Sequence, residues 1–273
     1  KFYPADHKDV DGTYASFRVF LSIIAYNTTM VKKEEAPKSF ADLLDPKWKG
    51  KIVKAHPGYS GTIMTATFQM SRDLGWEYFE KLAQQNVLQV QSAADPPKKI
   101  ALGERAVQAD GVEYLILQEK ESGQPVEPVY APEGSPLIIG PNGLFKAAPN
   151  PNAARLFQSF CFTPECQQLC IDIGGLRSVH PQIKEHTGRT PLSQIKMMKD
   201  DAAAAYERYA VPETGRIFYE GGFANFALHP STEVHFKNGE RAPLLIVGQD
   251  QDHTVPASVA RAQTSATSRQ PAA

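Results

Sequence analysis

The chain has 273 residues, 42% of them hydrophobic and 22% charged, which is ample apolar material for one large core or two smaller ones. A formal net charge of -1 gives no bulk electrostatic reason to expect a nucleic acid or an anionic membrane surface as partner. No apolar run approaches the roughly 20 residues that span a bilayer, so no membrane insertion is expected. The chain opens on Lys1 with no signal peptide, as a processed N-terminus would, which leaves export open.

The elements follow an alternating rhythm. Residues 15–26 (ASFRVFLSIIAY) predict one strand buried on both faces. Ser39 to Asp42 starts a short helix through Leu44 in the manner of a capping box, and Pro46 closes it. Residues 51–55 predict a strand and His56-Pro57-Gly58 a turn. Ile63, Thr67 and Met70 recur at helical spacing, so residues 60–72 predict a helix with Ser60 near its N-cap. Trp76, Phe79 and Leu82 mark another. Strands at 87–91, 106–109 and 126–130 then alternate with helices at 97–102 and 112–120. Residues 135–140 form a further strand, and Pro149 to Asn152 breaks the chain before helices at 152–161 and 164–172. This rhythm argues for an α/β fold with a mixed or parallel sheet. Residues 196–201 read as an exposed helix end.

Three cysteines fall within ten residues. Cys166 and Cys170 would share a helix face, and Cys161 precedes the Thr163-Pro164 break and could fold back on Cys166. A Cys161–Cys166 disulfide, a metal site and buried free thiols are the three readings. No His or acid has ligand spacing beside these cysteines, and free thiols are the default.

The strongest local site signal is His56-Pro57-Gly58-Tyr59-Ser60-Gly61-Thr62. Small hydroxyls and glycines at a helix N-terminus let backbone N–H groups approach an anion, which the helix dipole also favours. A plain turn with an N-cap serine would look the same. Residues 36–62 (APKSFADLLDPKWKGKIVKAHPGYSGT) closely resemble the iron-type, family-1 extracellular solute-binding proteins of ABC transporters. Residues 131–140, 148–157, 176–181 and 188–192 continue the likeness in family order, so that it covers about residues 10–203.

The resemblance implies a periplasmic-binding-protein-like fold, the type II Venus flytrap, whose two lobes close on a small polar solute in the periplasm. It implies mainly the second lobe over 1–135 and a return segment into the first lobe over 136–204. The first lobe is expected to be incomplete, because the segment that builds most of it in the family has no counterpart. Ser60, Gly61 and Thr62 match positions where the second lobe presents hydroxyl and backbone donors to ligand. Tyr114 falls where iron-binding members carry an adjacent tyrosine pair, but Leu115 follows it here. Ferric iron wants several anionic oxygens. A small oxyanion-bearing solute, such as a phosphonate or sugar phosphate, suits Ser60-Gly61-Thr62 better, with iron as the alternative through Tyr114. An ABC permease is the expected protein partner, and no cofactor is expected.

A seam lies near residue 204. Residues 202–210 predict a helix, 211–240 a loop, 242–248 a strand, 256–262 a short helix, and the tail from Thr264 reads as disordered. Residues 241–248 with Asp252-His253-Thr254-Val255-Pro256 resemble the acid-bearing strand end of α/β hydrolases, Asp252 matching the acid that orients a catalytic histidine. No G-x-S-x-G nucleophile elbow occurs, and the only histidine after Asp252 is its neighbour His253. The alternatives to the binding reading are an α/β-hydrolase-type esterase, whose triad is incomplete here, and a non-functional fusion of two fragments, residues 205–273 being the hydrolase-like one. His180, His186, His229 and His235 read as solvated loop histidines.

Overall fold

A computed structural model describes His7, Lys8, residues 14–199, and the backbone of two short strands at 233–235 and 241–243. The chain divides into two units, Lys1–Asp200 and Asp201–Ala273.

The apolar run at 15–26 is not one strand. It contributes β1 (Tyr14–Ala15), β2 (Val19–Leu21) and β3 (Ile24–Asn27), and the last two belong to different sheets. Between them the Ser22 N–H donates to the Pro136 carbonyl at 3.1 Å and the Ile23 N–H to the Gly111 carbonyl at 3.0 Å. The chain thus changes partners without leaving the interior, and uninterrupted hydrophobicity conceals the break.

β3 enters a five-stranded sheet with β4 (Ile52–Ala55), β5 (Leu88–Val90), β6 (Val107–Gln108) and β7 (Val126–Val129). Its order is β5-β4-β6-β3-β7. β4 is parallel to both β5 and β6, and β3 runs antiparallel to β6 and β7. Successive side chains point to opposite faces. Ile24, Tyr26 and Ile52 therefore pack into one core with Met70, Phe79 and Leu82, while Ala25 and Val53 pack into another with Ile100 and Ile116. Those partners lie on α1 (Gly61–Leu74) and α2 (Trp76–Ala83) in the first core, and on α3 (Asp95–Ala101) and α4 (Glu113–Glu121) in the second. Helices on both faces make an α/β layered unit. α3 begins two residues earlier than its sequence pattern, with Pro96 and Pro97 in the first turn, where a missing N–H costs nothing.

The short helix after Ser39 is a 3-10 turn over Ala41–Leu44. The Asp42 N–H donates to Ser39 Oγ at 3.0 Å and the Lys38 N–H to Asp42 Oδ2 at 2.8 Å, a reciprocal cap.

β2 joins a three-stranded sheet of order β10-β8-β2, with β8 at Ser135–Ile139 and β10 at Met197–Met198. The exposed helix end expected at 196–201 is therefore corrected. Met197 and Met198 pair parallel with Ser135 and Pro136, and the Met198 side chain fills the larger core. α1 reaches this sheet through Gln69, whose amide donates to the Leu137 carbonyl at 2.6 Å and accepts from its N–H at 3.0 Å. β1 pairs with β9 (Asn142–Gly143). α5 (Pro151–Cys161) and α6 (Pro164–Asp172) follow as a hairpin. Cys161, Cys166 and Cys170 are free thiols, the default among the three readings.

In the second unit β11 (Glu233–His235) and β12 (Arg241–Pro243) pair antiparallel, so part of the loop expected over 211–240 is strand. The rest of the helices, strand and tail expected from 202 onward lies outside the described residues, as does Asp252. Among the described residues no helix is long and apolar enough to cross a membrane, and no group of three or more His, Cys, Asp or Glu could hold a metal ion.

Candidate functional site

The three parallel strands β4, β5 and β6 end at one edge of the five-stranded sheet. From β4 the chain leaves toward α1, α2 and β5 on one side, and it returns through α3 to place β6 on β4's other side. Connections leaving adjacent strand ends in opposite directions open a crevice at the carboxyl edge, the usual ligand position in open α/β sheets. The β4–α1 turn carries Ser60, Gly61 and Thr62 there, and the β6–α4 turn brings Val112 and Tyr114.

A recess of about 430 Å³ occupies this place, lined by Tyr59, Ser60 and Thr62, by Ser92 after β5, and by Val112 and Tyr114. The structure thus brings Ser60, Thr62 and Tyr114 together around one space. Ser60 is the N-cap of α1, its Oγ accepting from the Ile63 N–H at 3.4 Å. The N–H groups of Gly61 and Thr62, in the first turn, have no carbonyl within the helix to reach. A side chain built on Gly61 would meet nothing within 4 Å, so this turn faces open space. Fourteen residues of α1 align their dipoles behind it. In the Ser92 turn the N–H already donates to Asp95 Oδ2 at 2.9 Å, while Ser92 Oγ accepts from the Ala94 N–H at 3.1 Å and keeps its own O–H to donate. The Tyr114 ring stands 6.0 Å from that of Phe20 on β2, so the wall continues to the second sheet. No carboxylate is among the described residues lining the recess.

Two buried ion pairs hold these turns. Lys54, in the middle of β4 and wholly buried, is paired with Asp110 just after β6. Asp110 Oδ1 also accepts from the Ala55 N–H at 3.2 Å. The strand ends that launch α1 and α4 are thereby tied together. Burial pushes the Asp110 carboxyl up, and the Lys54 ammonium draws it back. Next along, burial and then the Lys54 charge push His56 down to about 4, so its ring is neutral. His56 Nδ1 accepts from the Gly58 N–H at 2.8 Å, and the ring packs edge-on against Tyr59 at 5.1 Å, shaping the turn before Ser60.

The second pair is Glu113 with Arg177. Arg177 Nε and Nη2 donate to the two Glu113 oxygens at 2.8 and 2.7 Å, and the Tyr130 hydroxyl donates to Oε1 at 2.5 Å. Burial, followed by the Glu113 charge, raises the Tyr130 hydroxyl well above its usual range. Glu113 lies between Val112 and Tyr114, so this network fixes the start of α4. The Val19 N–H donates to the Arg177 carbonyl at 3.2 Å, linking it to β2 as well.

Sequence reasoning missed Lys54, Asp110, Glu113, Tyr130 and Arg177 as site supports. One signal was present, since a lysine inside a buried strand requires a buried opposite charge. His180 corrects another expectation: it is buried, and its Nδ1 accepts from the Gln182 N–H at 3.2 Å.

The sheet order, the helices on both faces and the site at the strand ends define an α/β periplasmic-binding-protein-like fold. Residues 1–196 match the family of bacterial extracellular solute-binding proteins, and the chain belongs to that family. An uncharacterised protein of Haemophilus influenzae is 28% identical over 222 residues, covering 77% of this chain and 62% of that protein's length. The periplasmic binding protein AfuA from Actinobacillus pleuropneumoniae, solved with fructose-6-phosphate bound, is 26% identical with a TM-score of 0.67. That match covers 79% of this chain and 72% of AfuA. Iron-bound HitA from Pseudomonas aeruginosa shares the fold at 18% identity and a TM-score of 0.62, over 76% of this chain and 71% of HitA. The family match ends at residue 196, so the hydrolase resemblance over 205–273 falls outside it.

Proposed function

We propose that this chain is the solute-binding component of an ABC importer, working in the periplasm and delivering a small oxyanion-bearing solute to a permease. The observation that carries this reading is the recess in front of β4 and β6. There Ser60, Gly61 and Thr62 offer two hydroxyls and unclaimed N–H groups at the positive end of α1, with no carboxylate among the described residues of the wall. A phosphate ester fits that chemistry, and fructose-6-phosphate in AfuA supports it. Residues 1–135 would then form mainly the second lobe and 136–204 the return into the first. An incomplete first lobe belongs to the same reading, and the exposure of Leu156 (75%) and Phe157 (67%) on α5 supports it, as a face awaiting cover would be. Residues 205–273 remain an α/β-hydrolase-like fragment by resemblance alone, with Asp252 in the acid's position and no assigned activity.

Ferric iron is the second reading, favoured by Tyr114 at the recess and by the shared fold of iron-bound HitA. Even two phenolates, from Tyr59 and Tyr114, with no carboxylate among the described residues of the wall, leave most of a hard cation's anionic ligands to be supplied by something else. Thermal melting with fructose 6-phosphate, inorganic phosphate, fructose and ferric citrate separates the readings. A ligand held only by the folded state stabilises it by about 2.7 kcal/mol at a hundred times its Kd. Phosphate esters should raise the melting temperature and fructose should not. A rise with ferric citrate alone would reverse the order of the two readings.

A further inference from the structure

The α5–α6 hairpin carries three cysteines that the solute-binding reading does not use. Cys161 is the last residue of α5, Cys166 is the third of α6, and Cys170 lies one turn further along. The two helix ends are fixed against each other: Thr163 Oγ1 accepts from the Cys166 N–H at 3.3 Å, and the Gln167 amide donates to the Cys161 carbonyl at 2.8 Å. Cys161 and Cys166 are buried with Phe17, and half-buried Cys170 and Phe162 pack against them. The three cysteines thus share one small cluster at the α5–α6 turn. The Arg18 guanidinium acts on Cys161 and Cys170 in the direction that favours thiolate.

We propose that Cys161, Cys166 and Cys170 form a thiol–disulfide exchange site that closes a Cys161–Cys166 disulfide across the α5–α6 turn when a small disulfide such as oxidised glutathione is supplied. Cys170 is the entry point because it alone of the three is partly exposed. Its thiolate attacks the glutathione disulfide, forming a mixed disulfide and releasing one glutathione thiolate, which takes up a proton. Cys166 then attacks the Cys170 sulfur and expels the second glutathione. Finally Cys161 attacks Cys166, and Cys170 regains a proton. Two protein thiols are oxidised and one glutathione disulfide is reduced to two thiols, so atoms and electrons balance.

Geometry selects the final pair. Residues four apart on a helix hold their Cβ atoms about 5–6 Å apart, whereas a disulfide needs about 3.5–4.5 Å. A lasting Cys166–Cys170 bond would have to deform α6. Cys161 sits at a helix terminus, where the backbone can adjust. Burial and the neighbouring thiols push Cys170 up to about 11, so the first step is slow at neutral pH and accelerates as pH rises.

The test incubates the full chain, folded, with oxidised glutathione at mildly alkaline pH, then alkylates remaining thiols and maps peptides. Alkylatable thiols should fall from three to one, with a mass loss of about 2 Da before alkylation and the bond mapped to Cys161 and Cys166. A Cys166→Ser variant should instead keep a glutathione adduct on Cys170 and form no internal disulfide. Three alkylatable thiols in the wild type, a lasting wild-type adduct, or a Cys166–Cys170 bond as end product would each overturn the proposal. So would a Cys161–Cys170 bond in the variant. No solute is needed for this readout, so it stands apart from the binding assignment.

Discussion

Ser60 serves two purposes with one side chain. Its hydroxyl caps α1 by accepting from the Ile63 N–H, and the same oxygen borders the recess. Ser60→Ala should therefore cost about 1 kcal/mol of stability through the lost cap. Together with Thr62→Ala it should weaken binding of a phosphate ester by at least about tenfold, since a hydrogen bond to a charged group contributes about 1.5–3 kcal/mol. Calorimetric titration reads the affinity and urea unfolding the stability. Gly61→Leu probes the space itself. Nothing lies within 4 Å of its added Cβ, so stability should move by less than about 0.5 kcal/mol while the new side chain, between Ser60 and Thr62 at the head of α1, crowds a ligand held there. Retained affinity in that variant would place the ligand elsewhere.

His56 adds a pH dependence. Its folded value of about 4 lies below the ordinary 6.5, so the unfolded chain binds the proton first. The stabilising contribution is full above about pH 6.5 and is lost as pH falls toward 4. Urea midpoints at pH 7 and pH 4.5 should separate less in His56→Gln than in the wild type. Equal separation would mean that the histidine does not titrate in this window.

At the scale of elements, the two buried ion pairs decide where helices start. Arg177→Met leaves the Glu113 carboxylate buried without its cation, and removing one partner of such a pair costs about 3–5 kcal/mol. The loss should appear in urea unfolding. A loss under about 1 kcal/mol would indicate that water reaches Glu113.

The sequence was legible where one residue type carries one meaning. Ser60 marked the start of α1, and the βαβα rhythm marked the sheet. It was misleading where a buried strand changes partners, as at Ser22 and Ile23, because both sheets bury the run equally. Met197 and Met198 misled for a related reason: a two-residue strand has no period to read, and only pairing with β8 gives it away. The ion pairs are long-range, Lys54 and Asp110 being 56 positions apart and Glu113 and Arg177 64, so local pattern holds half of each at most.

At the scale of the whole molecule, the candidate site follows from topology. A sheet of order β5-β4-β6-β3-β7 has its switch between β4 and β6, and Ser60, Thr62 and Tyr114 come together there from the starts of α1 and α4, far apart in sequence. Two of the family motifs reach that edge, residues 36–62 through the β4–α1 turn and residues 131–140 through the crossing from β7 to β8. What the sequence withheld was the wall chemistry, since the absence of a carboxylate from the described lining of the recess depends on which side chains face it.

The decisive measurement is a calorimetric titration of fructose 6-phosphate into the wild-type chain and into the Ser60→Ala/Thr62→Ala double variant, with fructose as control. The phosphate ester should bind saturably, fructose should not bind, and the variant should bind at least about tenfold more weakly, on the order of a lost hydrogen bond to charge. Equal affinity in the two proteins, or equal binding of fructose and its phosphate, would contradict the claim that this chain holds an oxyanion at the head of α1.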